Sequence, residues 1–295
     1  MGENHGHQEL HALVLSVLAR DDARDTIDDI VVEWGNAHYQ DVVDRFIAGQ
    51  DVPLDSVSMA WRNTIVSPNT VWDAPVYAQF FTAIRQLNAG RPPDKQYRVV
   101  LADSPVDWDT VTERADLQPF YDRASHMADV LRKESLLKGR RALFMAGGLH
   151  VSRLPRRWPR ADGVFSGEIT PVAWVELRNP GSVYVIQSMG RVDELGLDAL
   201  RGSGEPTFAA LSERPDLARI PANATTTLRN RDGAQAEVYG RHVLGDIVDA
   251  VILWDPKDVT LQDADPAVFE VEWYWEALNR RSQMLRGEPM DANRP

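Results

Sequence analysis

What most constrains this chain is an alternation between short, unbroken apolar runs and longer stretches with helical spacing. The runs are IDDIVVEWGN (27–36), YRVVLADSPVDW (97–108), RRALFMAGGLHV (140–151), SVYVIQSMG (182–190) and DAVILWDP (249–256). Each is too short for a buried helix and is rich in β-branched or other apolar residues, as a strand covered on both faces must be. Between them, QELHALVLSVLAR (8–20), Asp41–Ala48, Pro75–Leu87, Asp116–Leu137 and PVAWVELR (171–178) place apolar residues at helical intervals, and FEVEWYWEALNRRSQML (269–285) reads as the last helix. Pro75 and the Thr170–Pro171 pair mark helix starts, because proline at the first turn gives up only an N–H that would be unsatisfied anyway. The predicted fold class is α/β, with a mostly parallel central sheet flanked by helices.

At 295 residues and 43% apolar, the chain can fill one large core or two modest ones. It is read as a single domain over 1–295, with an inserted lobe or long loop at 201–241, where Gly, Pro, Asn and Thr dilute the pattern. A net charge of −12 argues against a nucleic-acid partner, since RLPRRWPR (153–160) stands alone as a basic patch. No run is long enough for a membrane span and no secretory leader is legible, so a cytoplasmic location is expected. Without cysteine, any chemistry falls to His, Asp, Glu, Ser, Thr and Tyr.

In open parallel sheets ligands bind beyond the carboxyl ends of the strands. Glu33, Asp103 and His150 all stand at such ends, and the opening MGENHGHQELH adds Glu3 and His5 beside two glycines that let backbone and ligand approach closely. No strand precedes Gly2, so Met1 is expected to be an internal residue of a longer protein whose first strand is missing. Two imidazoles and a carboxylate, His5, His150 and Glu33, can hold a divalent ion with a position open for water, or can run general-base hydrolysis without one. Against this stands the plain reading in which His150 caps a strand and Glu33 pairs with an arginine. Glu3 is either a further ligand or an acceptor of N–H bonds in its own turn. Arg123 either meets substrate charge or a developing oxyanion, or forms an ordinary surface ion pair. His126 reads as a packed neighbour, and Glu9 either orients His5 or is exposed. His7 and His11 read as a solvent-facing or supporting pair, because HQELH lacks the order that zinc-protease chemistry needs. His38 and Tyr39 follow Glu33 and are expected to line the cleft.

GENHG (2–6) with Glu9, VVEWGN with Glu33, RASHMA (123–128) and GGLHV (147–151), in this order, resemble the superfamily that holds erythromycin esterases, ChaN-type haem-binding proteins and Tiki-type metalloproteases, the ChaN-like branch most of all. The resemblance implies two related α/β halves that form a cleft. From the esterase branch it implies a base at His5 assisted by a glutamate. From the Tiki branch it implies a divalent metal (Mn, Co or Zn) held by Glu3, His5, Glu33 and His150. From the ChaN branch it implies haem, for which Tyr39 is the natural ligand. GENH has two residues between glycine and histidine where the esterase pattern has three, which shifts weight toward the metal reading or an unknown substrate. The expectation is thus a hydrolase acting on an ester or amide in a small-molecule or peptide substrate, using His5, Glu33, His150 and Arg123, with a non-enzymatic haem or iron binder as the rival. Oligomeric state is not legible.

Overall fold

Each apolar run forms a strand in the computed structural model, which describes residues 1–159, 165–189, 206–225 and 236–290. In chain order the strands are β1 (Gly2–Glu3), β2 (Asp29–Asn36), β3 (Arg98–Asp103), β4 (Ala142–Gly147), β5 (Arg156–Pro159), β6 (Phe165–Glu168), β7 (Ile186–Met189), β8 (Thr207–Ala210) and β9 (Ala250–Leu253). The helices are α1 (Gln8–Leu18), α2 (Asp21–Arg24), α3 (Gln40–Ile47), α4 (Leu54–Arg62), α5 (Pro75–Asn88), α6 (Arg123–Val130), α7 (Pro171–Arg178), α8 (Pro215–Ala218), α9 (Leu244–Ile247) and α10 (Glu272–Arg286). The fold is α/β with mostly parallel strands and flanking helices. No helix among the described residues is long and apolar enough to cross a membrane.

The chain divides into two compact units, Met1–Asn4 with Met145–Val259, and His5–Phe144 with Thr260–Pro295. In the first, the carboxyl half of β4, β1, β7 and β9 run parallel and β8 closes the edge antiparallel to β9. Gly2 and Glu3 are themselves strand, paired with Ala146 and Gly147. β5 and β6 form a separate antiparallel ribbon. Thr170 caps α7 as its sequence predicts, its hydroxyl accepting the Ala173 amide at 3.0 Å. Two arginines of the basic run are paired in place, Arg153 with Asp249 and Arg156 with Glu168 at 2.9 Å. Within 201–241, β8, α8 and a 3₁₀ turn at Ala222–Thr225 are defined, while 201–205 and 226–235 lie outside the described residues.

In the second unit β3 and β2 are parallel, and the amides of Asp28 and Asp29 donate to the Arg141 carbonyl where β4 begins. Every residue of β2 is buried. Its one charged residue at the amino end, Asp29, is compensated by Arg140 at 2.6 Å and the Ser135 hydroxyl at 2.9 Å. β2 runs three residues past Glu33, because Asn36 can be buried with its polar atoms satisfied. Its amide donates to the carbonyls of Asn63 at 2.6 Å and Val106 at 2.8 Å, and its oxygen accepts the His38 amide. The helix expected over 116–137 is broken. A 3₁₀ turn at Arg114–Phe120 contains Pro119, which has no N–H to give, and Asp122 then caps α6 through the Ser125 amide. The inner face of α1 packs on α5, so His7 and His11 are buried, not solvent-facing. His11 sits among Trp34, Tyr77 and Phe80, with ring centroids 5.2–5.4 Å away.

Candidate active site

The opening turn is built by Gly6. Its φ of +78° is a conformation that side chains with a Cβ rarely adopt, and an added Cβ would stand 2.3 Å from the Gln262 carbonyl oxygen. The backbone closes on both sides of it. The Gly6 amide donates to the Tyr77 hydroxyl at 2.9 Å, and its carbonyl accepts the Gln262 amide at 2.9 Å. His5, half-buried, is thereby held with its ring edge-on to Trp72, centroids 4.5 Å apart. Glu9 turns elsewhere, accepting the Thr260 amide at 2.8 Å and lying 3.7 Å from His7.

The carboxyl half of β2 and the carboxyl end of β3 bring Glu33 and Asp103 to one guanidinium. Arg123, the first residue of α6, donates from Nε to Asp103 at 2.7 Å and from Nη2 to Glu33 at 3.1 Å. Both carboxylates are buried, whereas the Arg123 side chain keeps 19% of its surface exposed. The surface ion-pair alternative for Arg123 is thus replaced by a buried triad with one accessible face. Asp103 also accepts the Ile65 amide at 2.8 Å. Burial pushes its carboxyl up, against the opposing pull of Arg123. Burial lowers the proton affinity of Arg123, but the two carboxylates outweigh that and raise it above the ordinary arginine value, so its charge is permanent.

His126, one turn along α6, belongs to this cluster although its sequence context reads only as packing. It is hydrogen-bonded to the Asp103 backbone, its Nε2 is buried with no partner among the described residues, and burial pulls it below the ordinary histidine range. The signal was available in RASHMA: positions three apart share a helix face.

In the first unit Glu3 is buried at the end of β1, and His150 closes a 3₁₀ turn that follows β4 directly. The residue that sequence reasoning missed there is Gln187. Its side-chain amide occupies the space that Cβ atoms would need at both Gly2 and Gly148, 2.5 and 2.3 Å away. Those glycines are therefore explained by a packed amide as much as by a ligand.

Tyr39 stands apart from the triad. It lines a separate cleft in the second unit, with its hydroxyl accepting the Asn63 amide at 2.8 Å, while His38 is exposed. Burial raises the Tyr39 phenol above its usual range, which keeps the proton on and works against the phenolate that iron ligation uses. Among the described residues no three His, Asp or Glu side chains group as a metal site, and the Glu33 carboxylate already faces a guanidinium.

No protein-family model and no curated protein matches the chain. A crystal structure of a protein from Bacillus cereus is similar in fold, with a TM-score of 0.54 at 12% identity, covering 90% of this chain and 89% of that one.

Proposed function

We infer that the chain is a hydrolase that cleaves an ester or amide in a small-molecule or peptide substrate. The observation that carries this reading is the Arg123 guanidinium, fixed by Glu33 in the carboxyl half of one parallel strand and Asp103 at the carboxyl end of its neighbour, and left 19% exposed. Two of its N–H groups are taken by the carboxylates, and the remaining donors suit an oxygen on which negative charge develops. Glu33 and Asp103 position that charge. His5, on a turn that Gly6 fixes, takes the proton from the attacking water. The resemblance of GENHG and GGLHV to the esterase and Tiki patterns supports His5 as base and adds His150 as a second candidate. The haem-binding alternative draws no support from the protonated, hydrogen-bonded Tyr39.

The test is hydrolysis of a panel of nitrophenyl esters and chromogenic amides by the wild-type protein and by His5→Ala, Arg123→Lys and His150→Ala. Loss of about 10²–10³-fold in kcat/KM for His5→Ala and Arg123→Lys, with an unchanged melting profile, is expected. No turnover by the wild type, or full turnover by both histidine variants, overturns the reading. A Soret shift on haem addition without turnover would favour the rival.

A further inference from the structure

We propose that the cleft lined by Tyr39, Trp108 and Trp273 binds a small ligand joining an anionic group to a flat apolar body, with Arg281 as the buried counter-charge. The cleft lies wholly within the second unit, encloses about 290 Å³, and is lined by none of Glu33, Asp103, Arg123 or His126.

Arg281, on α10, is only 3% exposed. Its guanidinium lies over the Trp108 ring, 4.3 Å from the centroid. It donates to the Ser67 hydroxyl at 2.9 Å and to the Asn63 side-chain oxygen at 2.7 Å. These two acceptors and the Arg62 carbonyl, 3.4 Å away, are all neutral, Nε is buried without an acceptor, and among the described residues no carboxylate hydrogen-bonds to it, Asp109 contributing only the pull of its charge. Three arginines elsewhere in this unit have either a carboxylate or a full set of carbonyl acceptors. Arg123 has two carboxylates, Arg62 faces Asp73 at 3.4 Å, and Arg24 spends its donors on the carbonyls of Ile27, Asp94, Lys95 and Gln96. Burial draws Arg281 down to about 10, so it still carries its charge at neutral pH. A charge held out of water without a counter-ion is costly, and an anion in the cleft beside it relieves that cost.

The rest of the cleft defines the ligand. The Tyr39 hydroxyl accepts from Asn63 and keeps its own proton to donate. Trp273, 41% exposed, offers flat apolar surface to a ring, while Trp108 backs the cleft beneath Arg281. Arg280 adds a second positive charge, while Asp109 and Glu276 are exposed carboxylates on the same cleft. A ligand therefore enters with its anion toward Arg281 and its neutral, flat part outward. Phosphate and carboxylate share this chemistry.

Calorimetric titration with phenylphosphate, benzoate, benzyl alcohol and benzylamine tests the assignment. At least one anion should bind about tenfold or more tightly than the neutral and cationic probes. The stronger of the two anions identifies the group as phosphate or carboxylate. Arg281→Gln should abolish binding and Trp273→Ala should weaken it severalfold, whereas Arg123→Lys should leave it unchanged. If Arg281→Gln fails to fold, Tyr39→Phe and Trp273→Ala decide, and unchanged affinity in both overturns the proposal. So does equal binding of benzyl alcohol, no binding of either anion, or loss of binding in Arg123→Lys alone.

Discussion

Arg123 stands 3.1 Å from Glu33, ninety residues away in the chain, and 2.7 Å from Asp103, so one cation compensates two carboxylates that have little water of their own. Removing it leaves both uncompensated. Arg123→Gln is expected to lower the unfolding free energy by about 3 kcal/mol or more, and adding Glu33→Gln to it should recover part of the loss. The midpoint of urea unfolding measures both, and a change under about 1 kcal/mol in the single variant would refute the triad as a structural unit.

Gly6 and Gly49 separate backbone conformation from contact. Both have positive φ, +78° and +88°, but a Cβ at Gly49 meets nothing within 4 Å, while at Gly6 it meets the Gln262 carbonyl at 2.3 Å. Gly49→Ala should cost about 1 kcal/mol, the conformational strain alone. Gly6→Ala should cost clearly more and also reduce any turnover that depends on His5. Equal melting shifts for the two variants would show that the 260–262 segment gives way.

The Tyr274 hydroxyl donates to the buried Asp73 at 2.6 Å, and Arg62 lies 3.4 Å from the same carboxylate. Tyr274→Phe should destabilise by about 1–3 kcal/mol at neutral pH. Burial already raises the Asp73 carboxyl, against the pull of Tyr274 and Arg62, and losing a donor raises it further. A group with a raised folded value is favoured by acid, so the cost of this substitution should shrink as pH falls through that raised value. A penalty that grows toward acid pH would contradict the bond.

His126 works with the opposite sign. Burial holds it below the ordinary value of about 6.5, so between the two values the unfolded chain binds the extra proton and the native state does not. Stability should therefore fall as pH drops below about 6.5. In His126→Gln this part of the acid loss should disappear, which denaturation midpoints at neutral and mildly acid pH in both proteins will read. Identical pH dependence in the two would remove His126 from the cluster.

The local sequence determined the elements. The consecutive Ile30, Val31 and Val32, and likewise Val99, Val100 and Leu101, leave a buried parallel strand as the favoured outcome, while Thr170 and Pro75 set helix starts by their own chemistry. It also placed Asp103 at a strand end, whereas β2 keeps Glu33 within it and runs on to Asn36. Tertiary structure decided what those charges do. Whether Arg123 serves a ligand or a carboxylate depends on where α6 begins, and that was set by Pro119 and the Asp122 cap acting on a helix whose periodicity alone reads as unbroken. The burial of His7 and His11, the reach of Gln187 across two glycines and the pairing of Arg281 with neutral acceptors arise from packing between distant segments, which spacing along the chain does not encode.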